Sequence, residues 1–127
     1  MTSNYCKIMC NHLSGGINMA YATLKYEALK NFSHEVFQKM GYTAEEAEII
    51  TDVLLTSDLY GIESHGMQRM VRYYKSIKNG RLVLGAEKEV VFETPVSAVI
   101  DGHDGTGQLL GHYAMSLAIE KAKKNGI

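Results

Sequence analysis

An α/β fold is predicted from three observations. Residues 21–80 carry helical periodicity, two short β-branched runs lie between residues 88 and 101, and helical periodicity returns from Gln108 to Asn125. N-terminal helical segments, then a short strand pair, then a helix is an order that α/β proteins present. At 127 residues the chain is one domain or a piece of one.

Each element has its own signal. Residues 1–20 show no period, and Ser14-Gly15-Gly16 would break a helix attempted through them. They are expected to be a leader or a disordered arm, with 21–127 as the structured portion. Met19 directly precedes the patterned segment, and Gly15-Gly16 can be encoded by a ribosome-binding sequence shortly upstream of its codon. Met19 is therefore a candidate start. From Tyr21 the period is helical, with Leu24, Leu29, Phe32, Val36, Phe37 and Met40 on one side of the wheel and Gly41 as the stop. Thr43-Ala44-Glu45-Glu46 is a capping box. The helix it opens is expected to turn Ala47, Ile50, Val53, Leu54 and Ser57 inward and to end near Gly61. A third amphipathic segment over 62–80 ends at Asn79-Gly80.

The character then changes. Residues 88–94 and 96–101 are short and β-branched, and are expected to pair antiparallel with Pro95 in their turn. The last helix has Leu109, Ala114, Met115, Ala118, Ile119 and Ala122 as its apolar set and Asn125-Gly126 as its stop. Ile127 follows where an α/β protein would begin its next strand, so the sequence reads as cut short.

Composition excludes several classes. The net charge of −1 lacks the basic excess of nucleic-acid binders. No run approaches the roughly 18 apolar residues of a membrane span, and the first twenty residues lack the apolar region of a signal peptide. No membrane partner and a cytoplasmic location are expected. Cys6, Cys10 and His12 offer three soft ligands without a fourth at zinc-finger spacing, so reduced thiols and no metal are the better reading.

The densest chemical cluster is Ser64-His65-Gly66 with Arg69 and Tyr73. Spacings of four put His65, Arg69 and Tyr73 on one face if the segment is a continuous helix. A histidine titrating near neutrality suits proton transfer to or from a reacting oxygen. An arginine can grip a carboxylate with two parallel bonds. Tyr73 could add a hydroxyl donor, and Ser64 could orient the imidazole or the substrate. The combination fits proton transfer on a small carboxylic acid, although a solvated polar face has the same spacing. A second cluster runs from Asp101 to Gly111, between strand and helix. Its glycines read G-x-G-x-x-x-G, one residue off the dinucleotide fingerprint, so a tight turn explains them better. His34 is expected at the surface of the first helix.

Three linked segments resemble the malate/L-lactate dehydrogenase family, the group that includes sulfolactate and ureidoglycolate dehydrogenases and diketogulonate reductases. They are Ser57 through Arg69 with Tyr73 in phase, Ile100-Asp101-Gly102 followed by Gly105-Thr106-Gly107-Gln108, and Ala114-Met115 with Ala118 to Ala122. The resemblance runs from about Tyr21 to Ile127. It implies an incomplete part of a non-Rossmann, sulfolactate-dehydrogenase-like fold. It also implies interconversion of a 2-hydroxy acid and its 2-oxo acid with NAD or NADP, and a homodimer at full length. The motif's histidine carries over to His65 as the catalytic proton donor and acceptor, and its substrate-lining serine, arginine and tyrosine to Ser64, Arg69 and Tyr73. Members run well beyond this length. Most of their cofactor domain, and a second active-site histidine in an Asn-His segment, have no counterpart here. The cofactor-binding residues therefore stay unassigned, and the chain alone is expected to be inactive. The competing expectation is a non-catalytic remnant that binds a protein partner through an exposed apolar patch.

Overall fold

The computed structural model describes residues 5–11 and 19–126. Two compact units divide the chain, one up to Lys75 and one from Ser76.

The first unit begins with an antiparallel pair, β1 (Tyr5–Asn11) and β2 (Met19–Lys25), in which Tyr5 faces Lys25 and Asn11 faces Met19. A strand occupies part of the segment expected to be irregular. Cys6, Ile8 and Cys10 alternate with Tyr5, Lys7 and Met9, a period of two too short to stand out alone. The reading of residues 12–18 as leader lies outside the described residues. Tyr21 to Lys25 were expected to open a helix and instead form β2. Their Ala, Leu and Lys favour helix locally, and cross-strand pairing overrides that preference.

Helix α1 (Tyr26–Met40) and helix α2 (Ala44–Leu59) then pack against each other. The capping box is formed: Glu46 N–H donates to Thr43 Oγ1 at 3.2 Å, and Thr43 N–H donates to Glu46 Oε2 at 3.0 Å. Lys30 of α1 reaches Glu48 at 2.7 Å and Asp52 at 3.1 Å on α2. These carboxylates, Glu48 first, hold its ammonium protonated well above the usual lysine range. His34 also crosses between the helices, with Nε2 3.0 Å from the Ala44 carbonyl oxygen.

The core is Leu29 and Phe37 from α1, Tyr42 from the connection, and Ala47, Ile50, Leu54 and Leu55 from α2. Phe37 and Tyr42 meet edge to face at 5.9 Å. Three residues expected inward are exposed, Leu24 in β2, Phe32 and Val53, and Val36 and Met40 are only partly covered. Ser57 is only partly covered, its hydroxyl donating to the Val53 carbonyl. Polar residues take the missing inward places, because Ser33, Thr51 and Asp58 are buried. An apolar wheel cannot display a stripe completed by serine, threonine and aspartate.

Residues 62–80 are not one helix. A 3₁₀ turn at Glu63–His65 and another at Met67–Arg69 are separated by extended backbone at Gly66, and α3 (Met70–Lys78) follows.

The second unit contains the expected antiparallel pair, β3 (Glu89–Glu93) and β4 (Ala98–Asp101), with a register shift between Val90 and Phe92. Pro95 lies in the turn, where Thr94 N–H donates to the Ser97 carbonyl. Helix α4 (Gly107–Asn125) ends before Gly126. Its Lys121 binds Glu93 at 2.7 Å and the Thr94 carbonyl at 2.6 Å, and Asn125 Nδ2 donates to the Pro95 carbonyl. Of the apolar set expected for α4, Leu109 is buried, while Met115 and Ile119 stay exposed. Among the described residues, two antiparallel strand pairs and four α-helices make a mixed α/β architecture. Among the described residues, no helix is long and apolar enough to cross a membrane.

Candidate active site

The Ser-His-Gly segment leaves the end of α2 and crosses to α3 as a chain of tight turns. Ile62 N–H donates to Ser57 O at 2.8 Å, His65 N–H to Ile62 O at 2.9 Å, and Arg69 N–H to Gly66 O at 3.0 Å. Ser64 and His65 are exposed, whereas Gly66 and Met67 are buried. The loop therefore shows its polar members outward and is pinned by the two residues after them.

The pins are specific. Met67 N–H donates to Asp58 Oδ2 at 2.8 Å, and the Met67 thioether receives the Ser33 hydroxyl at 3.2 Å. Ser33 Oγ also lies 2.6 Å from the Leu29 carbonyl of its own helix. Burial pushes the Asp58 carboxyl above its usual range; the Met67 amide opposes that rise and Glu63 adds to it. Cys6 on β1 is buried as well. Burial, then the negative charges of Asp58 and Glu63, push its thiol up.

Among the expected site residues, Ser64 Oγ and His65 Nδ1 share a hydrogen bond of 2.9 Å. Arg69 Nε donates to the Ser64 carbonyl oxygen, and Gln68 Nε2 to that of Glu63. Ser64, His65 and Arg69 are thus linked through the loop itself. The common helical face argued from their spacing does not exist, because Gly66 interrupts the helix. Tyr73 lies in α3 with its ring 6.4 Å from that of Phe37. Asp58 and Met67 were missed because one reads as a polar helix end and the other as core filler. The signal that could have found them is an aspartate on the buried stripe of α2, one turn beyond Leu54.

In the glycine-rich segment from Asp101 to Gly111, Gly107 and Gly111 face open space, whereas Gly102 and Gly105 sit against the chain's own atoms. A Cβ at Gly102 would lie 2.5 Å from Leu110 Cδ2, and one at Gly105 would lie 2.8 Å from the Gly102 carbonyl oxygen and 3.0 Å from Ala86 Cβ. Gly102 and Gly105 thus make room for the chain's own atoms. Among the described residues, no group of three or more His, Cys, Asp or Glu side chains could hold a metal ion.

Residues 24–127 match the malate/L-lactate dehydrogenase family, and the chain belongs to it. A malate dehydrogenase of Pyrococcus abyssi is 42% identical over 113 residues, which are 89% of this chain and 31% of that protein. An L-sulfolactate dehydrogenase of Methanocaldococcus jannaschii is 41% identical over 104 residues, 82% of this chain and 30% of its own length. The solved malate dehydrogenase of Pyrococcus horikoshii superposes with a TM-score of 0.78 at 36% identity, covering 98% of this chain and 31% of that one. The chain therefore spans about 30% of the length of these relatives.

Proposed function

We propose that the chain is the substrate-side portion of an NAD- or NADP-dependent oxidoreductase that interconverts a small, malate- or lactate-like 2-hydroxy acid and its 2-oxo acid. The observation that carries this reading is the hydrogen bond between Ser64 Oγ and His65 Nδ1 on an exposed loop. With Nδ1–H donating to Ser64 Oγ, the ring turns Nε2 to a substrate, as N–H in the imidazolium and as an acceptor in the neutral ring. In the reducing direction the imidazolium of His65 gives its Nε2 proton to the oxo oxygen, and a neutral ring is left. NADH or NADPH, when bound, would supply the hydride to the carbon. In the oxidising direction the neutral ring takes the hydroxyl proton and becomes imidazolium. Arg69 spends its Nε on the Ser64 carbonyl, leaving the terminal nitrogens of the guanidinium for the substrate carboxylate. Ser64 and Tyr73 complete the substrate-side residues in this reading. The glycine-rich turn before α4 is not assigned to NAD or NADP.

Family membership and the dehydrogenase neighbours favour this reading over a non-catalytic interaction module. The complete enzyme is proposed to be a cytoplasmic homodimer, and the 127-residue chain by itself to be inactive. The test is a graft in which residues 24–127 replace the matching segment of the Pyrococcus horikoshii enzyme. Reduction of 2-oxo acids by NADH or NADPH is the expected activity. Arg69→Ala in the graft should raise KM for the acid far more than it lowers kcat. Equal KM values for the two would remove Arg69 from the carboxylate site.

A further inference from the structure

The Ser64–His65 pair is exposed, in a single 3₁₀ turn. What keeps such a pair in one geometry lies behind it. Gly66 has φ −91° and ψ −150°, an extended conformation open to any L-residue. Its identity is nevertheless constrained: a Cβ there would lie 1.8 Å from Asp58 Oδ1, 2.2 Å from Cγ and 2.5 Å from Oδ2. The three nearest atoms all belong to one carboxyl group. That same carboxyl accepts the Met67 N–H, and Asp58 is only 6% exposed.

We propose that Asp58 is the positioning residue of the Ser64–His65 turn, its buried carboxylate seated against Gly66 and bonded to Met67 N–H so that the turn can hold only one course. The carboxylate works as a latch with two contacts. The amide bond fixes the residue after the glycine, and contact with the bare Cα fixes the glycine itself. Both lie within two residues of His65. Met67 adds a third hold through Ser33 of α1, so helices α1 and α2 both grip the loop just past the imidazole. Burying an ionisable carboxyl costs stability that a neutral side chain would not, unless the contacts it makes offset that cost. The inference rests on the reading of His65 as the proton-transfer group, but its test does not use turnover.

The experiment is performed on the 127-residue chain by NMR and amide exchange, with Asp58→Ala, Asp58→Asn and Gly66→Ala alone and Asp58→Ala/Gly66→Ala together. In Asp58→Ala, Met67 amide exchange should accelerate about tenfold or more, as expected for loss of a charge-assisted bond. The His65 ring resonances should shift in the same variant. Asp58→Asn keeps an acceptor of the same shape and should restore both readouts towards wild type. Gly66→Ala should lower the urea midpoint in the wild-type background and far less in Asp58→Ala, where the obstructing carboxyl is gone.

If Asp58→Ala does not fold, the wild-type chain still answers. The ionisable neighbours of Asp58 are Glu63 in the loop and Cys6 on β1. The Met67 amide proton and the His65 ring signals should both track the Asp58 carboxyl resonance through one midpoint above the ordinary aspartate range. His65 signals indifferent to Asp58, in the variants or in that titration, would overturn the proposal. So would additive effects of Gly66→Ala and Asp58→Ala. An intact latch with His65→Ala leaving turnover unchanged in the graft would instead count against the catalytic reading alone.

Discussion

Asp58 sets a pH dependence as well as a geometry. Burial raises its carboxyl pKa above the unfolded value, so the folded chain binds that proton more tightly. The stability linked to it is fully present below the unfolded pKa and is lost as pH rises through the folded one. Asp58→Asn removes this titration. Its urea midpoint relative to wild type should therefore climb as pH rises from about 4 towards neutrality, and a constant difference across that range would contradict the assignment. Thr51 offers a second residue-scale test. Its Oγ1 is buried without a hydrogen-bond partner among the described residues. Thr51→Val should stabilise the chain by about 1 kcal/mol in chemical denaturation, since it removes an unsatisfied hydroxyl at nearly constant shape. At this scale the sequence was readable where partners adjoin, as Ser64 and His65 do. It was not readable where they lie nine positions apart, as Asp58 and Met67 do, because folding alone brings them together.

Elements separate in the same way. The capping box before α2, the strand pair around Pro95 and the stop at Gly126 are local devices, and each was legible from neighbouring residues. Thr43→Ala should cost about 1 kcal/mol, read as a lower urea midpoint with unchanged slope. A loss near zero would mean that Glu46 or water satisfies the orphan amides without the threonine. Strand β2 was illegible because pairing with β1 makes it a strand while its own residues suit a helix. The 62–80 segment misled for a different reason. Its spacings fit a wheel, but the close approach of Asp58 to Gly66 selects two short turns instead of a continuous helix. Ser64, His65 and Arg69 are linked by backbone and side-chain bonds in place of a shared face.

The whole molecule is unevenly consolidated. The first unit buries Phe37, Ile50, Leu54 and Leu55 completely. In the second, Val91, Phe92 and Val99 of the strand pair are each more than half exposed. Amides of β3, β4 and α4 should therefore exchange faster than those in the centres of α1 and α2, and equal protection would contradict this account. The polar loop is anchored to the better-packed unit, which suits the role proposed for His65. The family match joins this arrangement to hydroxy-acid dehydrogenases, with the chain spanning about 30% of their length. The central claim is that His65 transfers the proton. Its most direct test is kcat for oxo-acid reduction by the graft carrying His65→Ala, measured beside the unsubstituted graft. A fall of about a hundredfold or more with folding unchanged is the expected result, and turnover equal to the unsubstituted graft would contradict the claim.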